Sequence, residues 1–165
     1  MKRLLTRLLV ICPVFQLVLP VQAAGRVGEA EVRAGANGNA CFTIAMDEER
    51  RGGGPEFQSV KVSAPGGTVM WKMAMPRERT FPLNASMCIP YGGRVPALPQ
   101  TAAAPLAEGV VYQVQIDTRQ TGNRPTHYLA RFCLVREGRG VARVHRIGAS
   151  GQSERAVPTC PAPGA

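Results

Sequence analysis

The stretch Asn37-Gly38-Asn39-Ala40-Cys41-Phe42-Thr43-Ile44-Ala45-Met46 decides the fold, because it joins a turn, a cysteine and a strand. Asn and Gly favour turns, since both tolerate left-handed backbone conformations. From Phe42 to Asp47, large apolar residues alternate with smaller or polar ones. This period of two predicts a half-buried strand that begins at the cysteine.

Two later stretches repeat the combination of a cysteine with a strand. They are Ser86-Met87-Cys88-Ile89-Pro90-Tyr91-Gly92 and His127-Tyr128-Leu129-Ala130-Arg131-Phe132-Cys133-Leu134-Val135. The recurrence indicates a β-domain that is pinned by disulfides.

Further alternating runs complete the predicted strand set. Residues 59–63 and 69–75 alternate on either side of the turn Pro65-Gly66-Gly67, which predicts a hairpin with Trp71 as a core anchor. Residues 110–117 form the clearest strand, with Gln113, Gln115 and Asp117 on the polar side, and residues 141–147 form a returning strand. With about seven or eight short strands and no convincing helical period, we expect an all-β, antiparallel, immunoglobulin-like β-sandwich.

Three segments lack a strong period. Residues 25–36 predict a weak edge strand at best, and residues 48–55, with their Gly-Gly-Gly-Pro ending, predict a solvated and flexible loop. The Pro- and Ala-rich segment 95–106 predicts a surface loop.

The N-terminus has the three parts of a secretory signal peptide. A cationic start precedes an apolar run, Leu8 to Leu19, and Val21-Gln22-Ala23 resembles a cleavage site. We therefore expect a signal peptide at residues 1–23, a β-sandwich domain at 24–148 and a Pro/Gly-rich tail at 149–165 tethered by Cys160.

Ile11 precedes Cys12 where a lipobox needs a small residue, so we expect a periplasmic protein without a lipid anchor. No later segment is apolar for long enough to predict a transmembrane span.

Four cysteines follow the predicted cleavage site: Cys41, Cys88, Cys133 and Cys160. An even number in an exported chain predicts two disulfides, with three possible pairings. Because no two of them form a C-x-x-C motif, the spacing does not favour a zinc site.

The chain is strongly basic, with 20 Lys and Arg against 11 Asp and Glu and a net charge of +9. Two explanations fit: the codon usage of a GC-rich genome, or attraction to an acidic partner. The scattered positions of the basic residues and the predicted compartment argue against nucleic acid as the partner.

The residues that could take part in catalysis do not form a known catalytic motif. The chain has two histidines, His127 and His145, and no P-loop, H-E-x-x-H, G-x-S-x-G or dinucleotide motif. We therefore predict a non-enzymatic protein with no catalytic residues, no cofactor and no metal. An enzyme would need a pocket that brings one of the histidines to a carboxylate.

A stripe of basic residues along the last strands is the candidate binding site. On facing strands of one hairpin, Arg131, Arg143 and His145 would form a positive face, to which we add Arg77 and Arg79 from a loop. Guanidinium groups suit carboxylate recognition at interfaces. The alternative is an ordinary solvated outer face.

The strand motifs resemble a known family. Cys41-Phe42-Thr43-Ile44, Cys88-Ile89-Pro90-Tyr91-Gly92, the Gly109-x-x-Tyr112 segment and Tyr128-x-x-Arg131-Phe132 are similar to those of putative type VI secretion immunity proteins of the periplasm, most of them lipoproteins. The chain departs from that pattern in lacking a lipobox, in carrying the extra cysteines Cys133 and Cys160, and in its long Pro/Ala loop.

The resemblance implies both a disulfide pairing and a function. Cys41 and Cys88 are the two cysteines that the pattern shares, so they should pair, which leaves Cys133 with Cys160. The implied function is neutralisation of a cognate secreted toxin by direct binding, through a complementary acidic surface of that toxin. The alternative is a structural or adhesive envelope module that binds anionic cell-envelope glycans.

Overall fold

The structure, a computed structural model, describes residues 26–35, 38–136, 140–148 and 159–161. The signal peptide predicted for residues 1–23 and most of the tail predicted for 149–165 lie outside the described residues.

The described part of the chain is mostly β, as the sequence predicts. In chain order its elements are β1 (Gly28–Ala34), β2 (Ala40–Ile44), α1 (Met46–Gly52), β3 (Glu56–Ser63), β4 (Val69–Ala74), β5 (Phe81–Pro82), β6 (Ile89–Pro90), β7 (Tyr112–Thr118), β8 (His127–Val135) and β9 (Arg143–Ile147). The strands form one sheet in the order β4-β3-β7-β8-β1-β2-β6, with β5 paired to β3 and β9 paired to β8.

The sheet curls into a half-barrel, and the finer expectation of an immunoglobulin-like sandwich is not confirmed. The hydrogen-bonded ladder runs without a break from β4 to β6, because β8 pairs on one side with β7 and on the other with β1 and β9. The expectation of a purely antiparallel sheet is wrong at one place, since β1 pairs with β8 in parallel, with Gly28 opposite Tyr128.

β1 is a central strand, and the prediction of a weak edge strand is wrong. Its buried positions are Gly28, Ala30 and Val32, which alternate with period two. Because two of these three residues are small, they carry little hydrophobic signal, and Val27, which breaks the register, lies outside the strand.

β2 is buried on both faces rather than half-buried. Thr43, on the face opposite the aromatic core, donates its hydroxyl to the carbonyl of Asn84 at 2.8 Å. The loop that contains Asn84 therefore covers the second face of β2, which the period-two pattern could not show.

The segment predicted as a flexible loop contains the short helix α1. Its first turn is acidic and its last turn basic, an arrangement that complements the helix dipole. Gly53, with φ of 73°, ends the helix in a conformation that favours glycine. Glu48 is buried, so the prediction that this segment is solvated is wrong there.

The predicted hairpin and the predicted late strands are confirmed. β3 and β4 pair antiparallel across the Pro65–Gly67 turn, and β8 pairs with both β7 and β9. The loop expected at residues 95–106 is bound to β4, because Pro99, Thr101 and Ala104 make backbone hydrogen bonds along that strand. This part of the loop covers a strand edge that would otherwise be open.

An aromatic cluster inside the curl joins the two ends of the sheet. The Phe42 ring on β2 lies 6.4 Å from Trp71 on β4 and 5.6 Å from Phe132 on β8, measured between ring centroids. Trp71 is buried, as expected of a core anchor. Since β2 and β4 lie near opposite ends of the strand order, these contacts hold the half-barrel in its curled shape.

The two disulfides are confirmed, with the pairing that the resemblance implied. Cys41 is bonded to Cys88 and Cys133 to Cys160, with Cα–Cα distances of 5.4 and 6.0 Å. The first joins β2 to the segment before β6, and the second fastens residues 159–161 onto β8. Bridges that close loops of this length stabilise a fold by about 2–4 kcal/mol each.

Candidate binding face

The outer surface of β3, β7 and β8 carries a polar face. On β7 the residues alternate, so that Tyr112, Val114 and Ile116 are buried while Gln113 and Gln115 face outward. The strand register places outward residues side by side: Lys61 of β3 opposite Gln115, and Gln113 between Ser63 and Arg131.

A cavity of about 450 Å³ opens on this face. The outward side chains Lys61, Ser63, Gln113, Gln115 and Arg131 line it together with the turn at residues 64–67. Two cations and no carboxylate belong to this lining, and Lys61 and Arg131 make no ion pair within the described parts of the chain. The cavity is therefore a positively charged depression edged by amide and hydroxyl groups, which suits an acidic group.

Beside the cavity, Asp117 is the centre of a polar network. It accepts hydrogen bonds from the Ser59 hydroxyl at 2.7 Å and from the Gln115 amide at 2.6 Å, and its Oδ1 lies 2.8 Å from His127 Nδ1. Burial would raise the pKa of Asp117, but these bonds outweigh it and hold the pKa below its usual value. Asp117 thus stays ionised, and both of its carboxylate oxygens already contact neighbouring side chains.

The structure does bring a histidine to a carboxylate, the arrangement that an enzyme would need. However, the Ser59 hydroxyl donates to Asp117 and makes no hydrogen bond to His127. A hydrolytic triad places the imidazole between the hydroxyl and the carboxylate, so this order does not activate Ser59 as a nucleophile. His127 is also absent from the lining of the adjacent cavity.

The predicted partner-binding residues occupy two separate places. Arg131 and His145 are diagonal neighbours on one face of the β8–β9 pair, with Arg143 two residues further along β9. Arg77 and Arg79 lie exposed in the loop after β4, which β3, β7 and β8 separate from β9 in the strand order. The structure therefore does not bring the five residues into one patch, and their binding role stays a prediction.

Sequence reasoning left Lys61, Gln113 and Gln115 out of the candidate site. The alternating pattern already indicated that they point away from the core. It could not show that they lie next to Arg131, because the pairing of β3 with β7 and of β7 with β8 is set by tertiary structure.

Comparisons with known proteins add no relative: the chain matches no protein-family model, no curated protein and no solved structure.

Three features of the described residues concern membrane spans, metal sites and disulfides. In the part of the chain that the structure describes, no helix is both long and apolar enough to cross a membrane, and no group of three or more His, Cys, Asp or Glu residues could hold a metal ion. The two disulfides fit an extracytoplasmic location, since thiols in the cytosol are kept reduced. The class that the fold and the disulfides define is a disulfide-linked, mostly β protein.

Proposed function

We propose that this chain is an exported, periplasmic, non-enzymatic binding protein that neutralises a cognate secreted toxin by direct contact, as a type VI secretion immunity protein does. The signal peptide at residues 1–23 takes it to the periplasm. The polar face around Arg131 then receives an acidic part of the toxin.

The observation that carries this proposal is the charge of the cavity on the outer sheet face. Lys61 and Arg131 line it, and no carboxylate does. An acidic side chain that enters the cavity would gain two cationic partners, and complementary charge also accelerates association. Arg131 belongs to the stripe that the sequence singled out, whereas Arg77 and Arg79 lie outside this face.

The rigidity of the scaffold supports the same function. Lys61 and Arg131 project from strands inside a continuous sheet, and a disulfide fastens β8 at Cys133. A surface whose backbone is already fixed loses little backbone entropy when a partner binds, so the face is suited to binding.

The proposal is tested by affinity capture from periplasmic extract of the source bacterium. The wild-type protein should retain a secreted protein that is toxic when produced alone in the periplasm, and co-production of the wild-type chain should relieve that toxicity. The double variant Lys61→Gln/Arg131→Gln should bind at least about tenfold more weakly and fail to protect.

The matched control is Arg50→Gln/Arg94→Gln, which removes the same charge from exposed residues outside the cavity lining. Equal weakening by both double variants would mean that only net charge matters. Unchanged toxin binding by the Lys61/Arg131 variant would refute the assignment of the face.

A second candidate function is binding of anionic cell-envelope glycans. The amides of Gln113 and Gln115 and the hydroxyl of Ser63 favour it, because they could bond sugar hydroxyls next to the two cations. Capture of anionic glycan alone, with no toxic protein, would support this function over the first.

A further inference from the structure

A second cleft, of about 590 Å³, lies between α1 and the loop before β8. Its volume falls within the range of roughly 300–1,000 Å³ that is usual for ligand pockets. Three distant parts of the chain supply its walls: Arg26 ahead of β1, the end of α1, and residues 121–125 with Tyr128.

Three arginines line this cleft, and each is fixed by a hydrogen bond. Arg26 Nη1 donates to Glu48 Oε1 at 2.8 Å, Arg51 Nε to the carbonyl of Asp47 at 3.1 Å, and Arg124 Nη1 to the carbonyl of Gly54 at 3.2 Å. A guanidinium has five N–H donors, so each arginine keeps most of its donors for another partner.

Arg124 packs along the glycine-rich segment that ends α1. A Cβ at Gly52 would lie 3.4 Å from Arg124 Cγ, and one at Gly53 would lie 3.3 Å from Arg124 Nη2. The arginine thus lies in contact with backbone that carries no side chains.

One buried carboxylate opposes the three arginines. Glu48 Oε1 accepts from Arg26 and from the backbone N–H of Glu29, and it lies 3.4 Å from Arg51 Nη2. Glu48 Oε2 is buried and has no hydrogen-bond partner among the described residues. Three positive charges against one negative charge leave an excess of two in the lining of the cleft.

We propose that this cleft binds the carboxylates of an acidic peptide segment. Guanidinium groups recognise carboxylates, and the site already holds one, since Glu48 Oε1 accepts from Arg26 Nη1 and lies 3.4 Å from Arg51 Nη2. The volume exceeds what a single inorganic anion needs and suits a short run of residues. The cleft shares no lining residue with the cavity around Lys61 and Arg131, so the inference does not rest on the proposed function.

The test is calorimetric titration of the intact, oxidised protein with a terminally blocked hexaglutamate peptide. Citrate and inorganic phosphate serve as parallel probes, and a hexaserine peptide is the neutral control. Hexaglutamate should bind, hexaserine should not, and Arg51→Gln and Arg124→Gln should each weaken hexaglutamate binding about tenfold.

Arg50→Gln is the matched control, because it removes one charge from the same helix at a residue outside the lining of this cleft. It should keep hexaglutamate binding within about twofold of wild type. Lys61→Gln/Arg131→Gln measures how much of the binding belongs to the other cavity, and Arg51→Gln and Arg124→Gln should still weaken binding when they are added to it. Thermal unfolding of each variant would show whether it is folded.

Five results would overturn the inference. One is hexaglutamate binding that Arg51→Gln and Arg124→Gln leave unchanged in folded protein. Two others are equal weakening by Arg50→Gln and loss only in Lys61→Gln/Arg131→Gln. The last two are binding of phosphate without either carboxylate probe, and binding of citrate without hexaglutamate, which would make a small polycarboxylate the ligand.

Discussion

At the scale of single residues, Glu48 is a charged side chain in a buried position. Its side chain is only 3% exposed, whereas those of its partners Arg26 and Arg51 are 47% and 57% exposed. Burial would raise the pKa of Glu48, but the hydrogen bonds from Arg26 and from the Glu29 N–H outweigh it and lower the pKa below its usual value. Ionisation of Glu48 is therefore more favourable in the folded protein than in the unfolded chain.

We expect Glu48→Gln to lower the free energy of unfolding by about 1–3 kcal/mol at neutral pH, because Arg26 and Arg51 lose their anionic partner. A lowered pKa gives stability that is present above the unfolded value of about 4.5 and is lost as pH falls through the folded value. The wild type and the variant should therefore converge in acid.

Urea unfolding at neutral pH and at about pH 3 measures both effects of Glu48→Gln. Asp47→Asn, at an exposed neighbour in the same helix, is the control and should change stability by less than about 0.5 kcal/mol. A difference between wild type and Glu48→Gln that grows in acid would contradict the assignment.

At the scale of elements, the position of β1 depends on a close approach between two residues. A Cβ at Gly28 would overlap Cδ1 of Tyr128, whose side chain is buried. The absence of a side chain at Gly28 therefore lets the Tyr128 ring pack over β1 where β1 pairs with β8.

We expect Gly28→Ala to destabilise the protein by about 1–3 kcal/mol, because the added methyl group would displace a packed ring. Val27→Ala, at the preceding exposed residue, should have little effect. Thermal unfolding of the two variants makes the comparison. Equal stability of Gly28→Ala and wild type would show that Tyr128 moves aside without cost.

At the scale of the whole molecule, Tyr91 links the two ends of the curled sheet. It follows β6 at one end, and its hydroxyl lies 2.7 Å from the carbonyl of Ala104 and 3.2 Å from that of Met70 on β4, at the other end. Its ring packs against Trp71, with ring centroids 5.6 Å apart. Burial raises the pKa of Tyr91 to about 12.

We expect Tyr91→Phe to lower the free energy of unfolding by about 1–3 kcal/mol at neutral pH, since the carbonyls of Met70 and Ala104 lose a donor. A raised pKa gives stability that is present below the unfolded value of about 10 and is lost as pH rises through the folded value of about 12. Between these values the wild type should lose its advantage over the variant.

Denaturant unfolding at pH 8, 10 and 12 tests this expectation for Tyr91. Tyr112→Phe is the control, because the Tyr112 hydroxyl also bonds a loop, accepting a hydrogen bond from the backbone N–H of Ala107 at 2.8 Å, but it does not join the ends of the sheet. A constant difference between wild type and Tyr91→Phe across this pH range would contradict the role of the buried hydroxyl.

The sequence by itself determined the β character, the hairpin across Pro65–Gly67, the late strands and the four cysteines. These features are local, because a period of two, turn residues and the identity of single side chains are recognised directly in the sequence. The buried anchor Trp71 and the outward direction of Gln113 and Gln115 belong to the same class of information.

Only the tertiary structure decided that the strands form one curled sheet, that β1 lies in its centre and that Glu48 is buried. Small residues on β1 and charged residues on α1 give weak or misleading local signals, and their burial depends on partners far away in sequence. The same holds for the cavity and the cleft. Lys61 and Arg131 become neighbours only through strand pairing, and Arg26, Arg51 and Arg124 only through packing. A site built from distant segments has no local pattern, since its residues interact only after the chain has folded.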